Sequence, residues 1–150
     1  MFTIVYKTMI RPHLEYANCI WSPYLKGDVD KMEKVQRRAT KIVPTLRKLP
    51  YSARLRKLHL PSLAYRRLRG DLIQVYRIMQ GFTDVQPSKF FNMETRVDSL
   101  RGHNYKIQKT RNKERIRQNC FSQRIVNVWN KLPEHIVEVK TTNSFKNAIN

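Results

Sequence analysis

Lys31, Lys34, Arg38 and Lys41 recur three or four residues apart, a spacing that sets cations along one side of a helix, where they can meet a row of phosphates. They belong to a larger concentration of charge. From Lys31 to Arg69 there are 13 Lys or Arg and a single acid, Glu33. The whole chain carries 30 basic against 11 acidic residues, a formal charge of +19 on 150 residues. A fold with this much like charge repels itself, and nucleic acid is the polyanion that most often relieves such repulsion. An ordinary solvated surface mixes both signs; here the acids are missing. Tyr51, Tyr65 and Tyr76 lie among the cations and suit occasional base stacking. Aromatic residues at helical spacing are more often core, so Tyr76 and Trp129 are read as core and Tyr51 is left open.

Other chemistries lack their parts. Asp28 and Asp30 are the one close carboxylate pair that could suggest metal binding, but a two-metal site needs carboxylates converging from different elements. A helix start explains this pair better. His13, His59, His103 and His135 are scattered, without metal spacing or an evident nucleophile. Isolated glycines form no phosphate loop. Cys19 and Cys120 make no disulfide framework and read as buried free thiols. No catalytic residue, metal, cofactor or small-molecule ligand is therefore expected. No apolar run is long enough to span a membrane, and the first residues lack a secretory pattern. The expected location is intracellular, in cytoplasm, nucleus or both.

The elements that must carry these residues read as mostly α-helical. A helix is predicted over 2–10, with a kink at Arg11-Pro12 and a second helical or extended piece to Trp21. The next covers 28–43, opened by Asp28 and Asp30, with Val29, Met32, Val35, Ala39, Ile42 and Val43 as its apolar stripe. After a break at Pro44–Pro50, a short helix over 51–60 turns Leu55 and Leu58 inward and Arg54, Arg56 and Lys57 outward. The longest helix follows Pro61-Ser62, carries Leu68, Leu72, Val75, Tyr76 and Met79, and stops at Gly81. Residues 82–104 read as a linker, with a weak strand pattern over 103–109. A second basic cluster holds Arg101, Lys106, Lys109, Arg111, Lys113, Arg115 and Arg117. Helix 114–132 then bears Phe121, Ile125, Val128, Trp129 and Leu132. Asn143 or Ser144 caps a last helix bearing Phe145 and Ile149. The expected organisation is a helical bundle over 1–81, the linker 82–104, and a small C-terminal unit over 105–150.

Several segments in order carry a family resemblance: RPHLEYANCIWSPY from Arg11, EKVQRRA from Glu33, LPSLAYRRLRGDL from Leu60, RGHNYKIQKTR from Arg101 and NCFSQRIVNVWNKLP from Asn119. Together they resemble the C-terminal part of reverse transcriptases encoded by Jockey-like and related LINE-class non-LTR retrotransposons. The resemblance covers nearly the whole chain outside 82–100. It implies that residues 1–81 are a thumb-like helical bundle that grips a template–primer duplex, and that 100–150 are the tail after it. It also implies that the catalytic palm, with its Tyr-x-Asp-Asp motif, and the endonuclease lie upstream, so that this chain is a fragment. No catalytic residue carries over. Lys34, Arg37, Arg38, Arg66, Arg67 and Arg69 carry over as duplex-contact or structural residues. With Lys31, Lys41, Arg54 and Lys57 they make up the candidate set for an RNA or DNA duplex held by its phosphate backbone. Two other readings fit the charge: an inactive retroelement relic, and a basic adaptor for an acidic protein or a membrane face. Helix 28–43 lacks the Trp, Phe or Leu that a membrane-seated helix sets beside its cations.

Overall fold

The first helical stretch changes register to accommodate a proline. Helix α1 (Phe2–Val5) runs into a π-helical turn, Tyr6–Ile10, and then into α2 (Arg11–Glu15). Pro12 has no N–H, and its ring collides with the carbonyl four residues back in a regular α-helix. The wider turn answers this: the Arg11 N–H donates to the Tyr6 carbonyl, five residues back. The predicted kink is thus an expanded turn placed just before the proline. Of the piece predicted on to Trp21, helix extends only to Glu15, and Ala17 takes a φ of 49°.

The structure, a computed structural model, describes residues 1–94 and 102–149. They are mostly α-helical, with β pairing confined among them to one isolated bridge. Two compact units divide the chain, one of Met1–Asn18 with Ser22–Leu68, the other of Cys19–Trp21 with the described residues from Arg69 onward. This division falls inside the longest helix, not at the break after Gly81.

In the first unit, α3 (Lys26–Lys41) buries Glu33, Gln36, Ala39 and Thr40. Of the predicted stripe Ala39 is buried and Val29, Met32 and Val43 are half-buried, but Val35 is 42% exposed and Ile42 69%. The polar face turns inward because its groups find partners there. Glu33 accepts hydrogen bonds from the Tyr51 hydroxyl and from the Leu63 N–H, the latter at 3.1 Å. Tyr6 donates to Gln36, whose Nε2 donates to the Pro61 carbonyl at 2.9 Å. Ala39 packs with Tyr6 and Leu60 in a small apolar cluster flanked by Phe2, Ile10, Leu55 and Leu58. A 3₁₀ turn, Pro44–Leu46, leads on toward α4 (Tyr51–Leu58). Helix α4 closes through His59 in the left-handed region, with the Leu60 N–H donating to the Leu55 carbonyl at 3.0 Å. That closure normally calls for glycine. Helix α5 (Leu63–Met79) starts after Ser62, whose hydroxyl accepts the Tyr65 N–H at 3.2 Å as an N-cap. The Glu33 carboxylate adds a negative charge at the positive end of the same helix.

The second unit is built on the later part of α5, where Leu72, Val75, Tyr76, Ile78 and Met79 are buried. Leu68, first in the predicted stripe, is exposed. The helix stops where predicted: Gly81 has a φ of 71°, and the Phe82 N–H donates to the Arg77 carbonyl at 2.8 Å. The expected linker over 82–104 is, in its described part, tied into this unit. Phe91 and His103 are buried. Met93 pairs with Ile107 in the isolated bridge, which is all that forms of the predicted strand over 103–109. Asp98, Ser99 and Arg101 lie outside the described residues.

The predicted helix 114–132 is three short helices: α6 (Arg115–Gln118), α7 (Phe121–Arg124) and α8 (Val126–Trp129). The break comes at Asn119, whose backbone N–H and side-chain Nδ2 both donate to the Arg115 carbonyl, at 3.2 and 2.7 Å. Cys120 is then extended and caps α7 through its carbonyl. The inward stripe survives, with Phe121, Ile125 and Trp129 buried. After α9 (Glu134–Val137) comes α10 (Thr142–Ala148), capped by Thr141 instead of Asn143 or Ser144; the Thr141 hydroxyl accepts the Ser144 N–H at 3.1 Å. Tyr76 and Phe145 stack at 4.2 Å between centroids, and Trp129 lies beside Phe145. The Asn130 side chain pairs with Ile107 in both directions, accepting its N–H at 3.0 Å and donating to its carbonyl at 2.8 Å.

Candidate nucleic-acid interface

The structure separates the ten predicted contact residues into two kinds. Lys31, Lys34, Arg37, Arg38 and Lys41 are all exposed along α3, and Lys57 is exposed on α4. Their placement follows from the buried polar face of α3. With Glu33, Gln36 and Thr40 inside, the cations one and two residues from them are left facing out.

Arg54, expected to point outward, is buried, and it, Arg66, Arg67 and Arg69 are all held in protein contacts. Arg54 is 3% exposed and lies over the Tyr51 ring at 5.6 Å. Arg66 forms a two-point ion pair with Glu15, at 2.6 and 2.8 Å. Hydrogen bonding to that carboxylate raises the Arg66 pKa above its already high ordinary value. Arg67 is 6% exposed and donates to the Leu14 carbonyl at 2.6 Å, closing the end of α2. Arg69 donates to the Lys146 carbonyl at 2.7 Å, near the end of α10. Cations at a helix start oppose its dipole; here they serve the ends of other helices and a carboxylate.

Tyr51, left open by the sequence, belongs with the interior contacts. Its hydroxyl is held by Glu33, and burial, then that hydrogen bond, push its pKa well above the ordinary phenol range. Arg37 lies over its ring at 5.1 Å. This is cation–π packing and not a free platform for a base.

At the end of α3, Arg38, Lys41 and Arg47 line a hollow of about 530 Å³ together with Ile42 and Pro44. Arg47 was not among the predicted residues. It sits in the irregular stretch after Pro44, where helical periodicity gives no signal; only its charge in a run without acids could have marked it. From residue 31 to 60 the one acid is Glu33, and it is buried. The charged side chains on the solvent side of this stretch are therefore all basic.

Asp28 forms an exposed ion pair with Lys31 at 2.9 Å. Among the described residues no three His, Cys, Asp or Glu side chains gather as metal ligands. Both cysteines are free, Cys19 half-buried and Cys120 exposed, against the expectation that both are interior. No helix among the described residues is long and apolar enough to cross a membrane. No family model, curated protein or solved structure matches the chain.

Proposed function

We propose that this chain binds nucleic acid duplexes through their phosphate backbones, as the thumb-like and tail region of an RNA-directed DNA polymerase of the non-LTR retrotransposon kind, with no catalytic role of its own. One observation supports this most: α3 turns Glu33 and Gln36 inward, and leaves Lys31, Lys34, Arg37, Arg38 and Lys41 outward. Arg47, which shares a hollow with Arg38 and Lys41, and Lys57 are exposed in the same unit. The family resemblance supplies the enzyme, and the charge supplies the partner. Such a partner puts the working protein inside the cell, in cytoplasm or nucleus.

The test is fluorescence anisotropy with an RNA–DNA hybrid and a DNA duplex across a salt series. If about five phosphates are neutralised, log K falls against log salt with a slope of about −4.5 on B-DNA. Lys34→Glu with Arg38→Glu should flatten that slope by about 2. A wild-type affinity that ignores salt would end this reading. Primer extension with Mg²⁺ or Mn²⁺ should yield nothing; extension that copurifies with the chain would contradict the non-catalytic assignment.

A further inference from the structure

The second unit holds a cleft that the sequence reading did not assign. It has a volume of about 770 Å³ and is formed by residues 109–113 and the stretch from Gln118 to Gln123. Lys109, Arg111 and Lys113 supply cations, all exposed, and the lining contains no carboxylate. The rest of the lining is four side-chain amides and Thr110.

Those amides are oriented by the protein. Gln118 Nε2 donates to the Asn112 carbonyl at 2.7 Å, and Asn119 Nδ2 to the Arg115 carbonyl at 2.7 Å. Asn112 Nδ2 faces the Thr110 carbonyl at 3.4 Å. A backbone carbonyl accepts only, so the nitrogen must be the end that faces it. In each case the amide oxygen is the end left over. Gln123, on the same lining, has a buried Oε1 without a hydrogen-bond partner. The cleft thus combines cations for a phosphate with amide oxygens, of which the buried Gln123 Oε1 has no donor.

We infer that this cleft takes unpaired nucleotides of a single strand, with Lys109, Arg111 and Lys113 on the phosphates and the amide oxygens of Asn112, Gln118, Asn119 and Gln123 toward an amino-bearing base. Adenine and cytosine each present an exocyclic amine with two N–H donors, whereas uracil has a single imide N–H. The volume suits one or two nucleotides, and a base splayed from its stack is the form a concave site can reach. This inference rests on the nucleic-acid reading above and adds to it a second site with its own base preference.

The test is anisotropy with the full chain and single-stranded RNA 12-mers of A, C and U at one fixed salt. A12 and C12 should bind at least about fivefold tighter than U12. Arg111→Ala with Lys113→Ala, both on an exposed loop, should weaken A12 about tenfold and reduce its salt slope by about 1.4. The same variant should leave hybrid-duplex binding near wild type, while Lys34→Glu with Arg38→Glu does the reverse. Gln123→Leu should remove the A-over-U preference, with circular dichroism to check the fold. Equal binding of A12, C12 and U12 overturns the inference and leaves the duplex reading standing. Absence of salt-dependent binding to any nucleic acid overturns the duplex reading itself. Free AMP carries the same chemistry, and should not displace A12 when matched in nucleotide concentration; displacement would overturn the strand assignment.

Discussion

Arg66 meets Glu15 at two points, Nε to Oε1 at 2.6 Å and Nη2 to Oε2 at 2.8 Å. Their side chains are 25% and 22% exposed, so the pair lies between a surface bridge and a buried one. Arg66→Glu should lower stability by about 1–3 kcal/mol, the range between those two cases. Adding Glu15→Arg should restore much of the loss. Lys34→Glu, on the open face of α3, should stay within about 0.5 kcal/mol of wild type. Urea melts of the three variants check this.

His103 gives the second unit an acid sensitivity. It is fully buried, and its Nε2 lies 3.1 Å from the Trp129 carbonyl. Burial above all, with some help from the Lys106 charge, lowers its pKa from the ordinary 6.5. In the unfolded chain this imidazole takes up a proton near pH ~6.5. Below that pH the unfolded state binds more protons than the folded one, so stability falls as pH falls. The slope from one such group is at most about 1.4 kcal/mol per pH unit, and it ends once the lowered folded pKa is passed. The contribution is fully present above pH ~6.5. His103→Gln keeps a donor and cannot titrate. Its melting temperature should depend on pH less steeply than wild type below that point, and a parallel pair of curves would refute the assignment.

Two helix ends offer opposite substitutions. His59 holds a φ of 49° at the end of α4, and Gly81 a φ of 71° at the end of α5. His59→Gly should stabilise the chain by about 0.5–1 kcal/mol, and Gly81→Ala should cost about 1 kcal/mol. Nothing crowds a Cβ at Gly81, so that cost is purely conformational. Thermal melts read both.

Asn130 acts as a one-residue strand partner for Ile107, through an N–H accepted at 3.0 Å and a carbonyl bonded at 2.8 Å. Asn130→Leu leaves both backbone groups without that partner and should cost about 2–4 kcal/mol, by the usual penalty for each. Asn130→Asp keeps the acceptor and loses the donor, and should fall between. Chemical denaturation ranks the three proteins.

Sequence patterns were most informative where one local rule decided the outcome. Gly81 ends α5 as composition predicts, and Tyr76 and Trp129 are interior as helical spacing predicts. They failed where a distant partner decided. Nothing local marks Glu33 and Gln36 as interior; Tyr51, Leu63, Tyr6 and Pro61 put them there. With that face turned in, Val35 and Ile42 came out. Arg54, Arg66, Arg67 and Arg69 look like Lys34 and Arg38 in the sequence, since charge type is visible and its partner is not. Asn119 was legible in principle, because asparagine competes for backbone carbonyls, but a regular apolar stripe outvoted it.

Glu33 has one more effect, which belongs to the solvent and not to the fold. With the single acid of residues 31–60 inside, that stretch has no acid of its own on the solvent side to balance its lysines and arginines, apart from Asp28, which pairs with Lys31 from just outside it. Mobile anions must do so, which makes the surface a small anion exchanger. It should rank bound anions by valence, taking citrate over chloride and heparin over both. Freshly lysed preparations should therefore carry an excess of absorbance at 260 nm, which disappears in a strong salt wash.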